Sequence, residues 1–424
     1  MGQLKNYVVG EKKVRVTLKD GRFFVGYMLP KTEFSRKDIT IIKLDNGYNI
    51  GIGSAEIKKT EILKKGIVRK VPKLKIKGKG PKLSVIGTGG TVSSRVDYVT
   101  GGVESSMSVD EIFAFVPEAA EHAELRFVNA MRKLSEDMTP KNWAKIAREV
   151  YKSLKTSEGA IVLHGTDTMH YTASAISFMV DTTKPIVFTG AQRSSDRPST
   201  DAFMNILCSV HAAKSDIAES LVCFHSSMSD DFNHIIRGNR SRKLHTSARP
   251  AFVSVNQPPL ASVWPNGKIK GNEDYHKRDD GKLRLKTKME DRVAIVKAFP
   301  GSDPEVLSYY ASQGYKGIII EGTGLGHVPV SPGNGKGWIP VINDFKDELV
   351  IVVTSQTVFG RTHKHVYTNL RKLSNLGVTF VGDMTTEAAY AKLMWTLGNH
   401  GKDGARELME KNLKGEMSPR TTVI

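Results

Sequence analysis

Four short apolar runs carry one signature: KLSVIGTGG (82–90), GAIVLHGTD (159–167), PIVFTGAQR (185–193) and SLVCFHSSM (220–228). Each is rich in β-formers, lacks apolar–polar alternation, and ends in glycine or small polar residues. Runs of that kind are strands buried on both faces. Helical patterns separate them. In TPKNWAKIAREVYKSLK (139–155), Thr139 can cap the helix and Pro140 fits its first turn. Trp143, Ile146, Ala147, Val150, Tyr151 and Leu154 then fall on one face. A second helix is expected to begin near Ser199-Thr200, in STDAFMNILCSV. Strands alternating with helices predict an α/β fold with a parallel, doubly wound sheet. After a polar stretch, HKRDDGKLRLKTKMED (276–291), the pattern resumes in VAIVKAF, KGIIIEGTG, LVIVVTSQ and VTFVGDM. Two α/β domains follow from this, over 83–275 and 291–424, with 276–290 as the link.

The front of the chain differs. VRVTLKDGRFFVGYMLP alternates around a tight turn at Asp20-Gly21, and ITIIKLDNGYNIGI does so around Asn46-Gly47. Residues 1–63 therefore read as a small β-barrel of SH3 or Sm type. Residues 64–82, KKGIVRKVPKLKIKGKGPK, hold nine basic residues and no acid, the composition of an exposed linker. The net charge of +18 lies mostly here. Residues 1–82 carry 21 Lys+Arg against 7 Asp+Glu, and the rest carries 41 against 37. A surplus so lopsided suits a polyanion such as RNA. No apolar run reaches the roughly 18 residues that cross a bilayer, and MGQLKNYVVG lacks a signal-type apolar core. A cytoplasmic protein without membrane contact is expected. Cys208 and Cys223 sit in apolar runs and read as buried, inert thiols.

In a parallel sheet, ligands bind beyond the carboxyl ends of the strands. That rule brings Thr88 and Thr91, after the first strand, toward His164-Gly165-Thr166-Asp167-Thr168, after another. A phosphate cradle fits poorly, because GTGGTV has valine where the dinucleotide fingerprint needs its last glycine, and no G-x-x-x-x-G-K-[ST] occurs. The histidines, His363 and His365 among them, lack H-E-x-x-H spacing, so no metal site is expected. The G-x-S-x-G elbow is missing too. A threonine nucleophile remains. Its hydroxyl is protonated at neutral pH and needs a base, for which a lysine of lowered pKa serves better than an aspartate. Lys243, in IIRGNRSRKLHTSARP, is the candidate, crowded in sequence by Arg237, Arg240 and Arg242.

TGGTVSS, HGTDTMHYTA, TGAQRSSDRPSTDAFMN and RGNRSRKLH together resemble the L-asparaginase family, over roughly residues 83–424. The resemblance implies an asparaginase-like body of two α/β domains and an amidohydrolase that uses two threonines, one in TGGT and one in HGTDT. It places those at Thr88 and Thr166, supported by Asp167 and Lys243. Tyr98, in SSRVDYVTGG, matches a lid tyrosine that assists the first threonine. Ser135, in KLSEDM, matches a substrate-binding serine, and Glu136 stands where some relatives carry a neutral amide. Backbone N–H groups of the glycine-rich turns, at Gly87 and Gly165, are the expected donors to substrate and oxyanion. Thr88 is expected to attack first.

A basic barrel ahead of such a body resembles the D-subunit family of archaeal glutamyl-tRNA(Gln) amidotransferases. That likeness implies a glutaminase that needs no cofactor of its own and acts on glutamine. It also implies a partner, the amidotransferase E-subunit, which binds tRNA(Gln), uses ATP and Mg²⁺, and receives the ammonia. The family forms a homodimer core within a heterotetramer. The rival expectations are a free-standing L-asparaginase and an RNA-binding protein on an inactive body.

Overall fold

The computed structural model describes residues 12–421, apart from 30, 32–35, 46–47, 66–77, 91–93, 97–102, 106–107, 114–115, 195–198, 272–273, 280 and 331–336. Five strands open the chain: β1 (Lys12–Leu18), β2 (Phe23–Met28), β3 (Ile39–Leu44), β4 (Asn49–Gly53) and β5 (Ile57–Lys65). They form one antiparallel sheet in the order β4-β3-β2-β1-β5. Val14, Val16, Leu18, Ile42 and Ile52 make its core, which is what the alternation of β1 requires. Gly21 adopts φ +88° in the β1–β2 turn, and Asp20 accepts from the Arg22 amide. The second expected turn, Asn46-Gly47, lies outside the described residues.

The body begins at β6 (Lys82–Gly89), followed by a short hairpin, β7 (Ser94–Val96) and β8 (Val103–Ser105), and by α1 (Val109–Phe113). Then come β9 (Glu124–Lys133), α2 (Pro140–Leu154), β10 (Gly159–Leu163), α3 (Met169–Met179), β11 (Val180–Asp181), β12 (Ile186–Thr189), α4 (Ala202–Lys214) and β13 (Ser220–His225). Strands β6, β10, β12 and β13, the four apolar runs, are parallel neighbours as expected, and β9, which the sequence did not single out, adds a fifth parallel strand beside β6. The sheet then departs from the all-parallel expectation. β14 (Asn233–Arg237), β17 (Ala261–Val263) and β18 (Ile269–Gly271) extend it antiparallel, giving eight strands. Only seven residues separate β13 from β14, enough for a hairpin and too few for a helical crossover.

The start of α2 is as its sequence dictates. Thr139 and Asn142 form a reciprocal capping box with Pro140 in the first turn, and Trp143, Ile146, Ala147, Val150 and Leu154 are buried.

Between β14 and β17 the chain makes a small side sheet, β15 (Ser241–Lys243) with β16 (Phe252–Ser254). The strand β19 (Arg284–Leu285) pairs with β11 and stitches the inter-domain segment to the first domain. The second domain is a four-stranded parallel sheet of β20 (Val293–Lys297), β21 (Gly317–Gly322), β22 (Val350–Ser355) and β23 (Thr379–Phe380). Its helices are α5 (Val306–Ser312), α6 (Trp338–Phe345), α7 (Thr368–Asn375) and α8 (Thr386–Met409). One core runs through both domains, with α8 residues Ala388, Leu393 and Met394 packed in the same cluster as α3 residues Ala173 and Ile176. No described helix is long and apolar enough to cross a membrane.

Candidate active site

Three loops converge at the carboxyl ends of β6, β9 and β10, and their glycines permit the approach. A Cβ on Gly90 would lie 2.3 Å from Gly165 Cα, and one on Gly165 would lie 2.7 Å from Ser135 Cβ. Any side chain at either position would push the loops apart. Thr168 Oγ1 donates to the Ser135 carbonyl at 2.6 Å and ties the second and third loops together.

Within HGTDT, His164 is fully buried. Its Nδ1 faces the Gly165 carbonyl at 2.7 Å and its Nε2 faces Thr172 Oγ1 at 2.9 Å. A carbonyl only accepts, so Nδ1 carries the proton and Nε2 accepts from the threonine. Burial pushes the imidazole down to about 4, which keeps it neutral at physiological pH. Because a trans peptide points its C=O and N–H in opposite directions, anchoring the Gly165 carbonyl on His164 turns the Thr166 amide away from it.

Lys243 arrives by an indirect route. After β14 the chain passes along α3: Gly238 O accepts from Ser174, and Asn239 Nδ2 donates to Ser177 Oγ. β15 then returns beside the start of α3. There Lys243 Nζ donates to Thr166 Oγ1 at 2.8 Å and to Asp167 Oδ1 at 2.6 Å. The lysine side chain is 8% exposed and that of Asp167 66%, so the amine is held inside while the carboxylate faces outward. Thr166 is buried. Residues 166, 167 and 243, separated in the chain, thus form one cluster.

The arginines around Lys243 do not act as the sequence suggested. Arg237 pairs with Glu219 at 2.6 Å, Arg240 with Asp383 at 2.9 Å, and Arg242 with Glu387 at 3.4 Å. Each cation expected to crowd the lysine has its own carboxylate. Two of these, Asp383 and Glu387, come from the second domain, just before and at the start of α8. Burial raises Glu387, and burial first, then Arg242 and Lys243, pushes neighbouring His170 down to about 3. Sequence reasoning missed Asp383, Glu387, His170 and Thr172. Only the acid in the first turn of α8 offered any signal, and that is a common helix feature.

Two expected site residues need correction. Thr88, expected as the attacking hydroxyl, lies inside β6, is 0% exposed, and donates to the Leu163 carbonyl at 2.9 Å. Its hydroxyl is spent on a carbonyl of the neighbouring strand, and no part of the residue reaches the surface. Gly87, expected as an amide donor at the site, is instead paired mid-sheet between Leu163 and Asn129. Its missing Cβ makes room for Val109, whose Cγ2 would lie 2.2 Å away. Gly165 and Ser135 do sit where the loops meet, and Glu136 beside Ser135 is exposed. Tyr98 and Thr91 lie outside the described residues.

Cys208 and Cys223 are buried and free, and burial pushes the Cys223 thiol up to about 12, as inert thiols should behave. No cluster of metal-ligating side chains occurs among the described residues. A cavity of about 670 Å³ lies at the amino end of β13, lined in part by Asp181, Glu219, Arg237 and Lys414, and is separate from the Thr166 cluster at the carboxyl ends.

The arrangement is that of a hydroxyl held by a buried amine and an exposed carboxylate, and known proteins are similar to the chain as a whole. Residues 82–276 match the family described as Asparaginase, N-terminal, and residues 292–409 the Glutaminase/Asparaginase C-terminal domain. Residues 10–63 match the GatD N-terminal domain. Among solved structures, the thermostable L-asparaginase of Thermococcus kodakarensis aligns with a TM-score of 0.73 at 30% identity, over 80% of this chain and 100% of that one. L-asparaginase I of Vibrio cholerae aligns with a TM-score of 0.68 at 27% identity, over 80% of this chain and 99% of that one. Neither of these alignments spans the whole chain. The glutamyl-tRNA(Gln) amidotransferase D-subunit of Pyrococcus horikoshii is 43% identical, over 98% of this chain and 96% of its own length. The D-subunit of Archaeoglobus fulgidus is also 43% identical, over 97% and 96%. With an asparaginase-type body behind a matching N-terminal domain along nearly its full length, the chain belongs to the D-subunit family of glutamyl-tRNA(Gln) amidotransferases.

Proposed function

We propose that this chain is the glutaminase of a tRNA-dependent amidotransferase, hydrolysing L-glutamine to glutamate and ammonia. The ammonia passes to a partner of the E-subunit type, which uses ATP and Mg²⁺ to convert Glu-tRNA(Gln) to Gln-tRNA(Gln). A homodimer core carrying two such partners, in the cytoplasm, is the assembly this reading implies. The observation that carries it is the contact of Lys243 with both Thr166 and Asp167.

The chemistry is acyl transfer in two steps. Thr166 is nearly enclosed and already held by Lys243, which suits proton relay better than direct attack on a bulky carboxamide. The attacking hydroxyl then comes from the facing TGGT turn. With Thr88 spent inside the sheet, that role falls to Thr91, the residue after Gly90, which packs on Gly165. Thr91 Oγ bonds to the side-chain carbonyl carbon, its proton goes to the leaving nitrogen, and ammonia departs. Water, held by Thr166 with Lys243 behind it, then adds to the acyl carbon; its proton passes by way of Thr166 Oγ1 to Thr91 Oγ as the ester bond breaks, releasing glutamate with Thr91 restored. The Thr166 amide, turned away from His164, is the oxyanion donor. Asp167, exposed beside Lys243, orients the amine and can hold the substrate α-ammonium group. Tyr98 assists the attacking threonine.

The test compares ammonia release from glutamine and from asparagine by the chain alone and with its co-expressed partner and tRNA. The expected result is a preference for glutamine, raised by partner and tRNA. Faster asparagine turnover, indifferent to both additions, would make the chain a free-standing asparaginase.

A further inference from the structure

The exposed face of the N-terminal sheet is built from residues the glutaminase reading does not use. On β1, Val14, Val16 and Leu18 point into the core, which leaves Lys13, Arg15 and Thr17 on the other side. Across β2 their partners are Tyr27, Val25 and Phe23, and across β5 they are Lys64, Glu61 and Lys59. Three strands therefore present one continuous outer surface of mixed aromatic and basic character.

Its details matter more than its charge. Phe23 is 60% exposed, an unusual place for a large ring on a small domain with so little core to spare. The Arg15 guanidinium lies over that ring at 5.4 Å, and the Lys13 ammonium lies over Tyr27 at 5.5 Å. Each aromatic thus has a cation beside it. Glu61 on this face pairs with Lys59 at 2.8 Å, and Asp45 beside it pairs with Lys13 at 2.9 Å, so each carboxylate offsets one lysine. The lysine-rich 64–82 segment begins in the last two residues of β5, and residues 1–82 hold 21 basic against 7 acidic residues.

We infer that this face of the sheet, centred on Phe23, Arg15, Tyr27 and Lys13, binds unpaired RNA. Bases stack on the two rings, and the lysines and arginine track the phosphates. Rings with flanking cations on an open sheet suit a single strand, whose bases expose their π-faces, better than a duplex, whose bases are already stacked. An acidic protein surface would satisfy the charge but would leave the exposed phenylalanine unexplained. The inference deepens the tRNA-linked reading above and rests on it for the source of the RNA.

The test uses the full chain and two labelled probes, poly(U) and an unmodified tRNA transcript, with binding followed by fluorescence anisotropy as salt is raised. Phe23→Ala should weaken poly(U) binding about tenfold or more and leave the salt slope unchanged. Arg15→Gln combined with Lys59→Gln should flatten that slope by ~0.7 for each phosphate no longer neutralised. Unchanged thermal transitions would show that the variants are folded, and unchanged glutamine hydrolysis would show that the catalytic reading stands apart from this one. The inference fails if Phe23→Ala binds as the parent does while only the charge changes matter, since that is non-specific attraction. It also fails if neither probe binds, or if Phe23→Ala instead releases the partner protein, which would make the face a protein interface.

Discussion

Lys243→Leu is expected to lower kcat/KM for glutamine hydrolysis by about 100- to 10,000-fold, the range by which a positioned proton-transfer group accelerates such steps. The loss should fall on kcat, because the amine serves the reacting hydroxyl and water while Asp167 remains to meet the substrate. Leucine keeps most of the buried stem, so the fold should survive; an unchanged urea midpoint would show it. Lys243→Arg should not rescue activity, since a planar guanidinium cannot reproduce the single Nζ that meets both Thr166 Oγ1 and Asp167 Oδ1. Near-normal kcat in Lys243→Leu would remove the amine from the mechanism. Recovery of full activity by Lys243→Arg would show that a positive charge suffices here and that the geometry of the amine does not matter.

The second large effect is on stability. Arg240 and Asp383 are 1% and 2% exposed, and their pair joins the end of β14 to the loop before α8. Arg240 also donates to the Gly415 carbonyl and to Ser418 Oγ, so it binds the C-terminal segment as well. Arg240→Ala leaves a carboxylate buried without its cation and should cost about 3–5 kcal/mol. A clear drop in the urea midpoint at constant m-value is the expected outcome. Removing both charges, in Arg240→Met with Asp383→Leu, should recover much of that loss, because the penalty lies in the unpaired charge. If the single variant were as stable as the parent, the Arg240–Asp383 pair would contribute nothing to holding the two domains together.

The site itself is partly visible in the chain. HGTDT and the lysine of RGNRSRK stand out because each is a compact run of chemistry-bearing residues at a strand end. Thr88 misleads for a physical reason. The apolar run ends at Ile86, yet β6 continues through Gly89, and every residue from Leu83 to Gly89 is buried. A buried strand can carry a hydroxyl when a neighbouring carbonyl accepts from it, and Leu163 does so here. Hydropathy therefore ends the strand three residues early and places the wrong threonine at the edge. Gly87 misleads in the same way, resembling a turn glycine when it is a packing glycine under Val109.

The electrostatics are illegible for another reason. Three arginines near Lys243 are close in sequence, whereas their carboxylates, at 219, 383 and 387, are brought in from just before β13 and from the second domain. Local charge counting sees the first group and not the second. The parallel core strands are readable from their unbroken apolar runs, while the antiparallel extension depends on a hairpin of polar residues that carries little pattern.

Mapping the acyl group tests the mechanism most directly. The Thr166→Val chain is mixed with glutamine, quenched and digested with trypsin, and the peptide from Leu83 to Arg95 is fragmented in a mass spectrometer. With the relay to water removed, the γ-glutamyl group should accumulate on Thr91. An adduct on Thr88, or undiminished turnover with no adduct on any threonine, would contradict the account.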